Sequence, residues 1–213
     1  MKTTIIITLL TAAHFLLSCS SDDPESGAAK RFKVPVDFTE VHGNNFLVDL
    51  KYNTDRNFMG RNLYGEFGVT RCYLHKELSA RLEKAAAMLA KKGYKVVLWD
   101  CYRPLAVQYA MWKVMPDPNY VADPAKGSNH NRGIAVDCSI VDGKGRTVPM
   151  PSEFDEFSEK ASIRYQCKAS EQCKCENREI LGTTMEAAGI SRFPSEWWHF
   201  QLADPARYPI IKD

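Results

Sequence analysis

His130 and Asp137 stand in the stretch Ser128-Asn129-His130-Asn131-Arg132-Gly133-Ile134-Ala135-Val136-Asp137. An imidazole and a carboxylate are good ligands for a borderline metal such as zinc. Their spacing is odd, so on one unbroken strand they would face opposite ways. Both reach one metal if His130 sits in a loop, Asp137 sits on the strand, and Gly133 turns the chain between them. The alternative is an ordinary turn entering a strand, with a surface His. A second stretch, Pro194-Ser195-Glu196-Trp197-Trp198-His199-Phe200, offers the missing parts. His199 supplies a third ligand and Glu196 a carboxylate able to act as general base. A catalytic zinc typically takes three protein ligands and keeps one position for water, whose pKa falls to roughly 7. A nearby carboxylate then takes the proton and passes it to a leaving amine. Strand alternation puts Trp197, His199 and Gln201 on one face, with Glu196 reaching in from the turn made by Pro194 and Ser195. The competing reading of this stretch is an aromatic core strand with a buried His.

Arg103 is a further candidate. It precedes Pro104, which pushes it towards extended geometry. It also stands at the start of a predicted helix, where a cation opposes the helix dipole. A residue placed against local electrostatics is suited to a ligand; a surface ion pair with Asp100 is the alternative.

Together the two stretches read Ser-x-His-x-x-Gly-x-Ala-x-Asp and then Glu-Trp-Trp-His. This resembles the signature of the zinc D-alanyl-D-alanine dipeptidases, the group that includes the vancomycin-resistance dipeptidase. Upstream, Asp100-Cys101-Tyr102-Arg103-Pro104 resembles that family's Tyr-Arg-Pro element. Lys51-Tyr52-Asn53-Thr54 and Asn57-Phe58-Met59-Gly60 resemble its N-terminal element, and Phe154-Asp155 falls where it has a substrate-binding Asp. The likeness spans roughly residues 40 to 210. It implies an α+β fold, a small mainly antiparallel sheet flanked by helices, as in zinc D,D-peptidases and Hedgehog signalling domains. It also implies one Zn2+ per chain on His130, Asp137 and His199, with Glu196 as base and then acid. Arg103 would polarise the scissile carbonyl and stabilise the oxyanion. Ser128, Asp155 and Tyr52 would contact the ammonium end of a small D-amino-acid dipeptide. The resemblance is weakest over residues 161–176, where family members often carry a His pair. Two rivals share the motif: a D,D- or L,D-carboxypeptidase acting on murein stem peptides, and a binding protein that keeps the metal without turnover.

The chain has 213 residues, a net charge of +2, 45% hydrophobic residues and 25% charged ones, which suits one globular domain over residues 31–213. So weak a net charge does not point to nucleic acid. There is no Gly-rich phosphate loop and no internal repeat.

Ahead of that domain, Lys2 and the apolar run Ile5–Leu17 read as a signal peptide over residues 1–18, too short to span a bilayer comfortably. Leu16-Leu17-Ser18-Cys19 resembles the lipobox of bacterial lipoproteins. Cys19 would then be lipidated and lead a flexible tether over residues 19–30. The expectation is an exported, periplasmic protein of a Gram-negative bacterium, held to a membrane only through that lipid. An ordinary cleaved signal with an incidental Cys is the alternative. The six remaining cysteines permit disulfides in such a compartment. A bond between Cys72 and Cys101 is expected, because Cys72 leads into a helix just before the strand that ends at Cys101. A zinc knuckle of Cys167, Cys173 and Cys175 competes, but lacks paired C-x-x-C spacing.

For the elements that position these residues, Phe46 to Tyr52 reads as a strand. Glu77 to Lys92 reads as a helix, with Leu78, Leu82, Ala85 and Leu89 inward and Gly93 as C-cap. Tyr94–Trp99 is a strand and Pro104–Met115 a helix. Cys138–Val141 pairs with Arg146–Met150 through a turn at Asp142-Gly143-Lys144-Gly145. Residues 149–160 form a loop over the site. A helix covers Asn177–Ala188, with Leu181, Thr184, Met185 and Ala188 on one face, and a last strand carries His199. His42 and His75 read as turn and surface residues.

Overall fold

The computed structural model describes residues 33–118 and 120–212. The signal peptide, Cys19 and its tether lie outside the described residues. The strands are β1 (Phe38–Glu40), β2 (Phe46–Val48), β3 (Tyr73–His75), β4 (Tyr94–Asp100), β5 (Ala135–Asp142), β6 (Ser191–Phe193) and β7 (Glu196–Gln201). The α-helices are α1 (Leu63–Glu66), α2 (Lys76–Ala90), α3 (Leu105–Val114) and α4 (Gln172–Ala187). No described helix is long and apolar enough to cross a membrane.

Five strands form one sheet in the order β2-β4-β5-β7-β6. Only the β2–β4 pair is parallel; β4–β5, β5–β7 and β6–β7 are antiparallel. A separate antiparallel pair joins β1 to β3. This is the expected α+β architecture. The sheet is centred on β5, whose residues from Ala135 to Val141 are all buried. A strand covered on both faces needs no alternation and reads as a continuous apolar run, which is why its start at Ala135 is invisible to a period-two pattern.

Helix α2 buries Leu78, Leu82, Ala85, Ala86 and Leu89. Helix α4 buries Leu181, Thr184 and Met185, and Ala188 just beyond it is buried too. These are the i, i+3, i+4 stripes expected of helices laid on a sheet. The two helices pack on each other, α2 also on β4 and α4 on β6 and β7.

Three expectations need correction. The return strand over residues 146–150 shrinks to a single bridge between Val141 and Thr147, because Asp142 folds back to accept from the Lys144 and Arg146 amides. The strand over 46–52 stops at Val48, and a 3-10 turn over Lys51–Asn53 follows, with Tyr52 buried in it. Helix α4 begins at Gln172 rather than Asn177; its first turns bury Cys175 and Arg178, so their polar letters conceal the stripe.

Candidate metal centre and catalytic cleft

Asp137 and His199 face each other directly across the β5–β7 ladder, and Asp100 faces Asp137 across β4–β5. His130 enters the same row from a short 3-10 turn, His130–Arg132. Gly133 follows with φ +67°, a left-handed conformation glycine adopts without strain. A Cβ there would also stand 2.3 Å from the Phe38 ring. The chain thus does turn between His130 and Asp137, and both side chains reach one point.

At that point three ligand atoms converge. His130 Nε2 lies 3.2 Å from His199 Nδ1, and Asp137 Oδ1 lies 3.3 Å from the first and 3.0 Å from the second. Ligands at the usual ~2.0–2.1 Å from a tetrahedral zinc are spaced at about this separation. The remaining imidazole nitrogens are engaged elsewhere. His130 Nδ1–H donates to the Cys101 carbonyl at 2.8 Å, and His199 Nε2–H to Gln201 Oε1 at 3.0 Å. Both lone pairs then point at the carboxylate, an outer-shell pattern that suits metal-bound histidines. Asp137 Oδ1 is buried and accepts no hydrogen bond. Three electron-rich atoms, one of them orphaned, require a cation among them, so these residues fit a metal. They are the one group of three or more such side chains among the described residues with this convergence.

Protonation follows the same geometry. Burial works against the Asp137 carboxylate, but the two imidazoles outweigh it and hold its carboxyl well below the usual range. Burial likewise opposes an imidazolium at His199, yet the adjacent Asp137 carboxylate raises its pKa to about 9. Without a metal, a proton takes the cation's role.

Glu196 opens β7 beside this triangle. Its Oε2 stands 3.7 Å from His199 Nδ1, too far for a hydrogen bond and outside the ligand set. Burial raises its pKa, and the Asp137 charge adds to this against the opposing pull of His199. Pro194 and Ser195 make the turn between β6 and β7, as expected. However, Trp198, not Trp197, lines the cleft with His199 and Gln201. Opposite this end of β7 the register shifts between Arg192 and Phe193, and such an irregularity breaks strict alternation. Trp197 turns away to meet Trp99 edge-on, and its indole N–H donates to Ser152 Oγ.

Arg103 is buried, not a surface residue. Its Nε and one terminal nitrogen donate to Asp100 Oδ2, and the other terminal nitrogen donates to Gln108 Oε1 at 2.8 Å. Gln108 in turn donates to the Ala122 carbonyl at 2.7 Å. The guanidinium, so fixed, lines the cleft 5.4 Å from the Tyr52 ring centre. Asp100 is fully buried, accepts from the Tyr64 hydroxyl and the Cys101 amide, and lies 3.6 Å from His130 Nδ1. The sequence gives Asp100 no more than a surface pairing with Arg103. Its signal was a carboxylate ending an apolar strand, where an unpaired charge is costly. Gln108 carries no such signal.

In the same cleft, the Tyr52 hydroxyl donates to Asp155 at 3.0 and 3.2 Å. Asp155 has φ +58°, uncommon outside glycine and a mark of functional loops. Burial and the charge of Asp137 raise its pKa to about 7, against the Tyr52 bond. Ser128 lines the cleft as well, and its hydroxyl accepts from the His130 amide at 3.2 Å. The cleft encloses about 230 Å³. Phe58, Tyr120 and Phe157 form part of its rim; the Tyr120 and Phe157 rings lie 4.6 Å apart. All eight residues singled out in the sequence for metal, catalysis or substrate therefore share one cavity. Cys72 and Cys101 form a disulfide beside it, and Cys167 and Cys175 form another at the start of α4. His42 is exposed, and His75 caps α2, accepting from the Glu77 amide.

Comparison with known proteins gives this cavity a lineage. The model of peptidase family M15, described as D-ala-D-ala dipeptidase, matches residues 33–211. The chain belongs to this family. It is 36% identical over 166 residues to the D-alanyl-D-alanine dipeptidase of Escherichia coli strain K12, covering 78% of this chain and 83% of that protein. It is 33% identical over 186 residues to the D-alanyl-D-alanine dipeptidase of Enterococcus faecium, covering 77% and 88%. The M15 match takes in every residue of the metal triangle, Glu196, Arg103, Tyr52, Ser128 and Asp155.

Proposed function

We propose that this M15 peptidase hydrolyses D-alanyl-D-alanine, with zinc held by His130, Asp137 and His199. The observation that carries the reading is the three-atom convergence with the Glu196 carboxylate just outside it. Zinc in that site supplies the positive charge that acidifies water and polarises a carbonyl. The chain's residues do the rest. Asp155, supported by Tyr52 and with Ser128 lining the same cavity, takes the substrate's ammonium, which selects a peptide with a free amino end. Arg103, locked by Asp100 and Gln108, presents a fixed cation where negative charge develops on the scissile oxygen, a contribution of ~3–4 kcal/mol in comparable sites. Glu196 accepts a proton from the attacking water as the C–O bond forms. It returns that proton to the amine as the C–N bond breaks, and its raised pKa favours both transfers. A cavity of about 230 Å³, below the ~300–1,000 Å³ usual for larger ligands, suits a dipeptide better than a murein stem. The role this supports is turnover or salvage of cell-wall peptides.

The test is a panel of free D-Ala-D-Ala, L-Ala-L-Ala and a pentapeptide stem ending in D-Ala-D-Ala, with and without chelator. Chelator-sensitive cleavage of the free D,D-dipeptide, restored by zinc, is the expected result. Preference for the stem peptide would make it a carboxypeptidase, and no turnover by zinc-loaded protein would make it a binding protein.

Leu17-Ser18-Cys19 and the polar stretch after it support a second part of the proposal, export as a periplasmic lipoprotein anchored through Cys19. Labelled palmitate should enter the full-length protein and not its Cys19→Ser variant; equal labelling of both would reject the anchor.

A further inference from the structure

We propose that the Cys72–Cys101 disulfide is a positioning element of the metal centre, holding in place the carbonyl that orients the His130 imidazole. Both cysteines are buried at 1% exposure. The Cys101 carbonyl accepts from His130 Nδ1–H, and this bond turns Nε2 towards Asp137 and His199. A carbonyl that sets a ligand's tautomer must not move, yet regular structure does little to hold this one. Strand β4 ends at Asp100, helix α3 starts at Leu105, and residues 101–104 between them belong to neither. The β4–β5 register itself shifts between Leu98 and Asp100, so the ladder is irregular where the turn leaves it.

The segment 72–75 compensates. Its Cys72 is bonded covalently to Cys101, its Tyr73 carbonyl accepts from the Tyr102 amide at 2.9 Å, and its His75 amide donates to the Gly133 carbonyl at 2.8 Å. One short strand therefore ties the turn after β4 to the loop that carries His130. The turn and the loop are also joined directly, Arg103 N–H donating to the His130 carbonyl and Asn131 Nδ2 to the Arg103 carbonyl. Those two bonds fix the backbones against each other, while the disulfide fixes the carbonyl facing the ring. The second disulfide, Cys167–Cys175, bears on none of these groups and lies away from the cleft lining. It is an internal control.

The inference rests on the metal-site reading, and the experiment separates the two. Zinc affinity of metal-free protein is measured by competition with a chromophoric chelator for the wild type, for Cys72→Ala/Cys101→Ala and for Cys167→Ala/Cys175→Ala. Loss of an outer-shell hydrogen bond typically weakens metal binding ~10–100-fold. A loss in that range is expected for the first pair, with wild-type affinity in the second despite its lower melting temperature. Nitrogen-15 histidine spectra of the metal-free proteins should show His130 protonated at Nδ1 in the wild type and control, and mixed in the first pair. Should that pair not fold, Cys72→Ser cuts the same tether and leaves Cys101 in place. Unchanged affinity and tautomer, or equal losses in both pairs, would overturn the proposal. A wild type that binds no zinc would instead overturn the metal site.

Discussion

Asp137 and Asp155 line one cleft, and they hold protons in opposite ways. Asp137 sits on β5 between two imidazoles that keep it anionic despite burial. Asp155 sits on a loop, its carboxylate bonded to a phenol, and burial with the field of Asp137 raises its pKa to about 7. The backbones differ as much as the charges. Asp137 is placed by a strand ladder, Asp155 by a left-handed kink in a connecting segment. The contrast separates two tasks. On the proposed reading, the three converging ligands, the floor, are built to hold a cation, while Asp155, at the rim, is left to meet a substrate ammonium.

The sharpest way to break the comparison is to take a ligand from the floor. His199→Ala should lower zinc affinity by more than the ~10–100-fold that follows loss of a supporting bond, and activity should go with it. Metal analysis after dialysis checks this, and full zinc in the variant would dissolve the distinction between floor and rim. Next in size, Glu196→Gln should keep its zinc while turnover falls ~10²–10⁴-fold. Arg103→Ala should keep zinc and lose ~10²–10³-fold. Turnover numbers measured beside metal content decide both, since loss of zinc from either variant would make it part of the floor.

The smallest effect, and the most pointed, concerns the rim. Asp155→Asn should raise KM more than it lowers turnover. It should also change stability in a pH-dependent sense. A carboxyl whose folded pKa is raised from 3.8 to about 7 favours folding below the lower value and loses that contribution as pH rises towards the upper one. Metal-free Asp155→Asn should therefore be more stable than metal-free wild type at pH 8, by roughly 1–3 kcal/mol at ~1.4 kcal/mol per unit discounted for partial solvent access. The two should converge near pH 4. Denaturant melts at both values test the sign; a variant less stable at pH 8 would remove the idea that the rim waits for a cation.

What the sequence made legible was the chemistry rather than its support. His130, Asp137, His199 and Glu196 could be read from type and spacing, because a metal site needs particular donors and the intervening Gly133 betrayed the turn. Arg103 was marked by its position before Pro104. Asp100 was not readable as a buried hub. Its partners Tyr64, Arg103 and His130 come from three segments, and only the β4–β5 register brings it into the row with Asp137. Gln108 looked like any polar helix residue until α3 was set against the loop bearing Ala122. In the fold, α2 announced itself through clean periodicity and β4 through its apolar run. The early turns of α4 did not, since Cys175 and Arg178 occupy buried positions that a hydrophobic pattern does not mark. The exchange of Trp197 for Trp198 goes with a register shift in the β6–β7 pairing, which no local pattern encodes.

The direct pairing of Asp137 with His199 has a consequence for how the molecule matures. A slip of one residue between β5 and β7 would turn His199 to the far side of the sheet. A chain caught in that arrangement offers two ligands instead of three. The last ligand lies 69 positions beyond His130, with helix α4 and the β6–β7 hairpin between them in the sequence, so the full set assembles only after those elements have docked. On the proposed reading, metal uptake would be an inspection step. It would admit chains whose central strands have found their proper partners and pass over those that have not.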